Sequence, residues 1–486
     1  MQSPVPLNAL FAILPEIILG IAACAIFVWE PFVPKEKRDK IAYFSLVALI
    51  LSGLSLFLFC GKNISAFSGM IVIDAYAIAF KALLILSSIF VVLMSFQYVK
   101  TERIHLGEYY GLILFATIGM MFLPSASDLL SFYLSLELMS MAFYVLTAFM
   151  RKDEKSLEAG VKYFLTGIFT SGLILYGIAF IYGMTGTTHL GAIRATLSSI
   201  GNPDTVANPA LVFAMILLIA GFGFKIASVP FQMWAPDVYE GSPTTITAFL
   251  SVGSKIAAFS VMGRVFIFGL SSHYDDWQPI LWIIAAVTMT WGNIAALVQT
   301  NFKRLLAYSS IGHSGYFLIG LITNSESGLS AIFVHSVAYL FMTLGAFIMI
   351  LLVCKEGSRG DQISDLRGLG RSHPAIGIAF VLFALSLIGI PPTAGFIGKL
   401  LLFGAAIEGQ FYYLAVIGVL NSVISLYYYF KVATIMFMEE PPKETVLSFS
   451  IPMKIGLWAM AAGTLVIGLY PEPIIRVALH SVKVLF

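Results

Sequence analysis

Long apolar segments recur along the whole chain and restrict what it can fold into. A helix crosses the hydrocarbon core of a bilayer with about 20 mostly apolar residues, and segments of that length alternate here with short polar connections. Of the 486 residues, 59% are hydrophobic and 11% are charged, which is more apolar surface than a soluble core buries. The segments lack the two-residue alternation of a membrane β-barrel. The sequence therefore predicts an all-α polytopic membrane protein.

About fourteen segments are expected to cross the membrane. They lie at 8–28, 40–60, 74–97, 108–124, 126–150, 159–183, 208–234, 244–269, 277–298, 304–323, 330–354, 376–408, 411–434 and 453–472. The segment 376–408 is long for one span and contains Pro391 and Pro392. Because proline removes a hydrogen bond of the helix, this segment predicts a broken helix. The longest connections, 184–207 and 355–375, are too short to fold alone.

Basic residues in the connections indicate how the chain is oriented. They follow odd-numbered spans: Lys35, Lys37, Arg38, Lys40, Lys100, Arg103, Arg151, Lys152, Lys155, Lys303, Arg304, Lys355, Arg359, Arg367 and Arg371. The connections after even-numbered spans carry almost none, with Lys62 and Arg194 as exceptions. Basic loops stay in the cytoplasm, so we expect a multi-pass protein of the cell inner membrane with both termini on the non-cytoplasmic side.

Several function classes lack the residues that they need. The three cysteines, Cys24, Cys60 and Cys354, are isolated and form no ligand set for zinc or an iron–sulfur cluster. No glycine-rich phosphate loop is present, and no basic cluster interleaved with aromatics suggests nucleic acid. Any redox or nucleotide chemistry is expected on another chain.

Four charged residues lie deep within apolar segments. Glu137 and Lys255 are near the middle of their segments, while Lys225 and Lys399 lie in the two segments that contain prolines. A charge at this depth costs about 2.5–3.5 kcal/mol on insertion scales, so each indicates a function or a partner.

Three interpretations of these charges are open. The first is that a lysine near the end of a span extends its amine to the lipid headgroups, which fits Lys162 and Lys81 because they lie closer to the ends of their segments. A structural ion pair of Glu137 with one lysine is the second interpretation. One acid does not balance several central lysines, however, and burial favours the neutral amine, which brings it within reach of proton exchange. The third interpretation is therefore a proton relay, with hydroxyls from Ser135, Ser140, Ser228, Ser251, Ser254 and Thr393.

Two histidines are further candidates. His313 is near the centre of the tenth span, and His335 is early in the eleventh. A buried histidine is more often hydrogen-bonded packing than a relay, and both interpretations stay open for His313; the role of His335 is open. Two histidines 22 residues apart without acidic or cysteine neighbours make a poor metal site.

The two proline-containing segments have mirrored order. Lys225 precedes Pro230 in the seventh span, whereas Pro392 precedes Lys399 in the twelfth. Breaks at corresponding places in two halves are typical of inverted-repeat transporters. We therefore expect two inverted five-helix repeats, spans 4–8 and 9–13, with discontinuous helices 7 and 12. The predicted divisions are 1–107 (helices 1–3), 108–269 (first repeat), 277–434 (second repeat) and 435–486 (helix 14).

Several motifs resemble the antiporter-like membrane subunits of respiratory complex I. They are LPEIILG (14–20), SLELMSM (135–141), KYFLTG (162–167), K-x4-PFQ-x-WAPDVYEGSP (225–243), SKIAAF (254–259), QTNFKRLLAYSSIGHSGY (299–316) and GIPPTAGFIGK (389–399). The resemblance covers nearly the whole chain. The length, Lys399 and the VYEGSP ending favour the N-type branch of that family.

The resemblance implies roles for individual residues. Glu137 and Lys225 match the acid–base pair of the first half, Lys255 the central lysine and Lys399 the terminal one; Lys162 also matches a family lysine. Gln232 departs from the histidine of many relatives, which puts a protonatable role there in doubt.

The implied function is proton translocation within NADH-quinone oxidoreductase, a translocase. NADH oxidation and quinone reduction, with their FMN and iron–sulfur clusters, would take place on other subunits, and this chain would carry no cofactor or metal. Its partners would be neighbouring antiporter-like and small membrane subunits and the lipid bilayer. Alternatives are a subunit of a Na⁺/H⁺ antiporter or membrane-bound hydrogenase complex, and a structural subunit without its own proton path.

Overall fold

The computed structural model describes residues 7–34, 39–102, 107–200, 208–354, 360–441, 447 and 450–486. Six basic residues used above for the orientation lie outside the described residues: Lys35, Lys37, Arg38, Arg103, Lys355 and Arg359. The helices are α1 Leu7–Ala12, α2 Leu14–Trp29, α3 Asp39–Ser55, α4 Ala75–Thr101, α5 Glu108–Phe122, α6 Leu129–Thr147, α7 Glu154–Thr185, α8 Leu190–Ile200, α9 Pro209–Lys225, α10 Trp234–Gly241, α11 Thr244–Met262, α12 Tyr274–Leu297, α13 Phe302–Ile322, α14 Glu326–Val353, α15 Leu369–Ser372, α16 Pro374–Ile388, α17 Ala394–Glu408, α18 Tyr412–Met438, α19 Ile451–Leu469 and α20 Glu472–Val482.

The predicted all-α membrane architecture is confirmed, but not the count of fourteen spans. Among the described residues, twelve helices are long and apolar enough to cross a membrane. The two other expected spans are interrupted: α9 ends at Lys225 within 208–234, and 376–408 is divided into α16 and α17. Both segments are therefore broken helices, as their prolines predict.

Many of the helices are capped at their first turn by a short polar side chain. Asp74 accepts a hydrogen bond from the backbone N–H of Ala77 at the start of α4, and Asp128 accepts one from Leu130 at the start of α6. Such caps satisfy N–H groups that the first helical turn leaves unpaired. Each cap fixes where an apolar segment begins.

A two-stranded hairpin and two short helices outside the spans did not follow from the sequence patterns. Strand β1 (Ile64–Ala66) pairs antiparallel with β2 (Ile71–Ile73), with Ile64 opposite Ile73. The short helix α8 lies in the connection after α7, and α20 follows the last span and packs on α14 and α4.

The backbone conformation differs between the two breaks. After α9, Ala227 has a positive φ of 54°, and the N–H of Val229 donates to Oγ1 of Thr288 at 3.0 Å. After α16, Gly389 has φ 94°, a left-handed conformation that glycine adopts without steric cost. Both breaks thus interrupt the helix within the bundle and place backbone polar groups there.

Helices α11, α13 and α14 form the centre of the molecule. Every side chain of α11 is buried, and α13 and α14 are buried along almost their whole lengths. Helices α7, α12 and α18 instead expose many large apolar side chains, as expected for surfaces that face lipid. Lys255 on α11 and Lys399 on α17 are 2% and 3% exposed and lie inside the protein.

Candidate functional site

Lys225 is the last residue of α9 and points into the interior beside α6. Its ammonium donates to the hydroxyl of Ser140 at 2.8 Å and lies 5.9 Å from the centre of the Tyr144 ring. Only 4% of Lys225 is exposed. The break that follows ends α9 at this lysine, so the ammonium lies where the helix stops.

Glu137 lies one turn before Ser140 on α6, but its carboxylate does not contact Lys225. It accepts a hydrogen bond from Ser171 of α7. No ion pair within 4.0 Å joins Glu137 to Lys225, so the expected acid–base pair is not a direct contact. Residues three apart share a helix face, which places both Glu137 and Ser140 toward the end of α9.

Lys255 lies in the middle of α11 and rests on a cluster of hydroxyl groups. Its ammonium donates to the carbonyl and the hydroxyl of Ser310, at 2.5 Å each. Tyr339 donates to the same Ser310 hydroxyl at 2.8 Å, and Ser251 lies 3.1 Å from the Tyr339 oxygen. The hydroxyl of Tyr239 lies 3.3 Å from that of Ser310. We call Tyr239, Ser251, Ser310 and Tyr339 the hydroxyl cluster.

His313 and His335 lie side by side next to the hydroxyl cluster. Nδ1 of His313 is 3.3 Å from Nε2 of His335, and the two rings are stacked with centres 5.5 Å apart. The His313 ring also lies 5.2 Å from that of Tyr339. The described residues contain no group of three or more histidine, cysteine, aspartate or glutamate side chains suited to a metal. His313 thus has a second histidine as its neighbour, which the sequence spacing did not predict.

Lys399 on α17 is bound by the end of α16. Its ammonium donates to the carbonyls of Leu387 at 3.0 Å and Ile388 at 2.8 Å, and to the hydroxyl of Ser422 at 3.1 Å. The last carbonyls of a helix have no partner within it, so the break supplies acceptors for the lysine. The ammonium also lies 4.4 Å from the centre of the Tyr316 ring, a favourable cation–π distance.

The three interior lysines share one electrostatic feature. Among the described residues, no carboxylate lies within 4.0 Å of the ammonium groups of Lys225, Lys255 or Lys399. Each is instead hydrogen-bonded to hydroxyls or carbonyls. Both kinds of oxygen accept from an ammonium, and a hydroxyl can also donate to the amine when it is neutral. This arrangement suits proton exchange better than a fixed ion pair.

Lys162 lies elsewhere, in a charged surface cluster. Its ammonium is 2.7 Å from Asp237 and 2.7 Å from Glu158, and 43% of its side chain is exposed. Arg304 bridges Asp237 at 2.9 Å and Glu240 at 3.0 Å. These groups line a cavity of about 190 Å³. The structure therefore does not bring Lys162 into contact with Lys225, and ion pairs rather than the headgroups hold its amine.

Two carboxylates of this surface cluster, Asp237 and Glu240, lie on α10, outside the candidate spans. Burial raises the pKa of Asp237, but hydrogen bonds from Lys162 and Arg304 outweigh it and hold the pKa below its ordinary value. Burial is likewise outweighed at Glu240, where Lys155 and Arg304 lower the pKa. Both side chains are thus charged at neutral pH.

Sequence reasoning missed two fully buried ion pairs. Lys81 is 1% exposed and lies 2.7 Å from Oε1 of Glu16, so its amine does not reach the headgroups and that interpretation is wrong. Arg264 lies 2.8 Å from Asp74. Both Glu16 and Arg264 lie inside apolar segments, and that placement was the available signal.

Hydroxyl partners were predicted only in part. Of the serines named from the sequence, Ser140 binds Lys225 and Ser251 belongs to the hydroxyl cluster beside Lys255. Ser135 and Ser254 bond only carbonyls of their own helices. The partners that the sequence did not single out, Ser310, Tyr339 and Ser422, come from helices distant in the chain.

Comparisons with known proteins agree with this geometry. The profile of the NADH:quinone oxidoreductase/Mrp antiporter transmembrane family matches residues 126–425. A protein of Trichlorobacter lovleyi named NADH-quinone oxidoreductase subunit N is 43% identical over 475 residues, covering 97% of each chain. The chain belongs to this family. The expected resemblance to antiporter-like subunits is confirmed.

Two solved structures have the same fold. A chain of respiratory complex I from Thermus thermophilus with bound aureothin is 32% identical, with a TM-score of 0.81, covering 95% of this chain and 99% of that one. A chain of the Mrp complex from Dietzia sp. is 19% identical with a TM-score of 0.85, covering 99% and 97%; that likeness shows the fold alone. The family region contains the four interior charges and lies C-terminal to Glu16 and Lys81.

Proposed function

We propose that this chain is a proton-translocating membrane subunit of a NADH:quinone oxidoreductase. The observation that carries the proposal is the set of three buried ammonium groups, Lys225, Lys255 and Lys399, whose contacts are hydroxyls and carbonyls. The relatives named NADH-quinone oxidoreductase subunit N support the assignment to that complex. Under this proposal FMN, the iron–sulfur clusters and the quinone belong to other subunits, and neighbouring membrane subunits are the partners.

Protons would move between the lysines through hydroxyls and transient water. Ser310 and Tyr339 extend the contacts of Lys255 toward His313, and His313 would relay protons at this position. Ser422, bonded to both Lys399 and Tyr316, is the corresponding group at the second break. Each charge moved against the membrane potential requires about 2.3 kcal/mol per 100 mV, which the redox reaction on other subunits would supply.

Glu137 would act on Lys225 through space rather than as a bonded partner. Its carboxylate lies on the same face of α6 as Ser140, the hydroxyl that binds Lys225. A nearby negative charge favours the protonated amine. A change at Glu137 or its partner Ser171 would thus alter how readily Lys225 releases its proton. Lys162 would contribute at the surface cluster, where it binds Asp237.

We further propose the inverted-repeat organisation and the orientation. Helix α5 packs on α6 as α12 packs on α13, and α7 packs on α9 as α14 packs on α17. These pairings support two repeats, 108–269 and 277–434, between 1–107 and 435–486. The basic connections place both termini on the non-cytoplasmic side, which reporter fusions at the two ends would test.

The test uses the assembled complex reconstituted into liposomes. Lys255→Gln should lower NADH-driven proton uptake at least threefold, because glutamine keeps hydrogen bonding at Ser310 but carries no exchangeable charge. Lys152→Gln is the matched control, since Lys152 is exposed between α6 and α7. Proton uptake is followed with a pH-sensitive dye and quinone reduction by NADH oxidation.

The outcomes separate the candidate functions. Unchanged uptake and turnover in both Lys225→Gln and Lys255→Gln would contradict a proton path. Failure to assemble, without loss of turnover in the complexes that do form, would favour a structural subunit. Uptake that depends on Na⁺ rather than on proton-carrying lysines would favour cation antiport, which the fold shared with the Mrp complex makes the main alternative.

A further inference from the structure

The first three spans contain a buried acid–base pair outside the matched family region. Glu16 on α2 and Lys81 on α4 are 2.7 Å apart, and their side chains are 2% and 1% exposed. Both carboxylate oxygens of Glu16 are buried and neither has a partner in hydrogen-bond geometry among the described residues, so the 2.7 Å contact of Oε1 with Lys81 is an ion pair. An ammonium thus meets a carboxylate that still has a free acceptor position.

The contacts between α4 and α11 fix the depth of this pair. Tyr76 donates to the carbonyl of Ser260, and Asp74, two residues earlier, contacts Arg264, four residues later. The two helices therefore run antiparallel. Lys81 is five residues beyond Tyr76, and Lys255 is five residues before Ser260. At a rise of 1.5 Å per residue both lie about 7.5 Å from the Tyr76 contact, in the same direction.

Helix α5 lies between the pair and Glu137, and its contacts show that the two acids lie at a similar depth. Gly20 of α2 packs on Ile118, and Gly119 packs against the backbone of Met139 on α6. Glu16 is four residues before Gly20, and Glu137 is two residues before Met139. Since α2 and α6 both run antiparallel to α5 in the bundle, both acids lie beside the same end of α5. The pair therefore extends the layer of interior charges sideways, onto α2 and α4.

Stability alone does not account for such a pair. Desolvating two charges costs several kcal/mol for each ion, and apolar side chains of similar volume are often as stabilising or more so. Every neighbouring segment of this chain has abundant apolar residues. Ionisable groups inside membrane segments are most often part of an ion or proton pathway.

We propose that Glu16 and Lys81 form a further proton-exchange pair of this module, which rests on the proposed function above. In the exchange step, the N–H bond of the Lys81 ammonium breaks and an O–H bond forms on Oε1 of Glu16. The products are a neutral amine and a carboxylic acid, so the net charge of the pair does not change. The exchange removes a local dipole at the depth of Lys255 and frees the amine to take up another proton.

The main test compares variants in the assembled, reconstituted complex. The double variant E16Q/K81M removes both charges and leaves neither unpaired, so it should assemble better than either single variant. At equal amounts of complex it should lower NADH-driven proton uptake at least twofold. Uptake equal to that of the unchanged complex would overturn the proposal.

Lys255→Gln is measured in parallel with E16Q/K81M, so that failure of the pair's role can be distinguished from failure of the proposed function. If K255Q loses uptake while E16Q/K81M retains it, only the pair's role is refuted. If both retain uptake, the proposed function itself fails.

A second measurement covers the case in which the double variant does not assemble. Glu16→Asp keeps the acid and should shift a carboxylic C=O band in the redox-induced infrared difference spectrum of the complex, because the protonated acid forms during turnover. A spectrum without any band sensitive to Glu16→Asp would overturn the proposal. A purely structural ion pair would leave that spectrum unchanged.

Discussion

The buried contact between Asp74 and Arg264 offers a sharp test of how the first helices are joined to α11. Asp74 caps α4 through the N–H of Ala77 at 2.8 Å and receives Arg264 at 2.8 Å on both carboxylate oxygens. Arg264 is 4% exposed and also donates from Nε to the carbonyl of Pro124. Asp74 and Arg264 together thus join the start of α4 to the segments that follow α11 and α5.

Asp74→Ala should destabilise the protein strongly. Loss of the cap costs about 1 kcal/mol, and a buried guanidinium without its carboxylate costs about 3–5 kcal/mol, which together give about 4–6 kcal/mol. The double variant D74A/R264L removes the unpaired charge. It should lose the cap and leave the Pro124 carbonyl unpaired, at about 1–3 kcal/mol for the carbonyl, or about 2–4 kcal/mol in all.

The double variant should therefore be more stable than D74A alone. Pulse proteolysis of this chain in the purified complex, across an SDS titration in mixed micelles, ranks the variants. A double variant less stable than either single variant would show that the pair does not carry the predicted coupling.

Three further predictions concern the surface cluster, a helix contact and a break. Asp237→Asn should flatten the dependence of the thermal unfolding midpoint on acid pH. Because the pKa of Asp237 is lowered from 3.8 in the folded protein, its contribution to stability is complete above 3.8 and is lost as the pH falls through the lowered pKa. An unchanged dependence of the midpoint on acid pH would contradict this. Gly119→Ala places a Cβ 2.4 Å from a backbone nitrogen of α6 and should reduce assembled complex, whereas Gly172→Ala, with nothing within 4 Å, should not. Thr288→Val leaves the N–H of Val229 at the break unpaired, at a cost of about 1–3 kcal/mol, and the same SDS titration should detect it; unchanged resistance would mean that another group pairs this N–H.

Much of the architecture follows from local properties of the sequence. Apolar length predicts a membrane span because each helix satisfies its own backbone and needs only an apolar surface. Proline predicts the two breaks because it lacks an N–H wherever it stands. Lys255 and Lys399 stand out as interior charges for the same reason: their depth is read from the residues beside them.

The contacts of those charges depend on which helices become neighbours. Ser310 receives Lys255 across 55 positions, and Ser422 receives Lys399 across 23. Glu137 bonds Ser171 rather than Lys225 because the end of α9 presents the lysine to the next turn of α6. No periodicity in one segment records such a choice.

The sequence by itself thus determined the class of protein, the broken helices and the interior lysines, since hydrophobicity, proline chemistry and depth are local. Only the tertiary structure decided the partners. It placed Lys162 in a surface cluster, gave Lys81 its carboxylate from Glu16, and set Lys255 on hydroxyls. A hydrogen bond extends about 3 Å, so its existence is decided by how helices pack and not by their order along the chain.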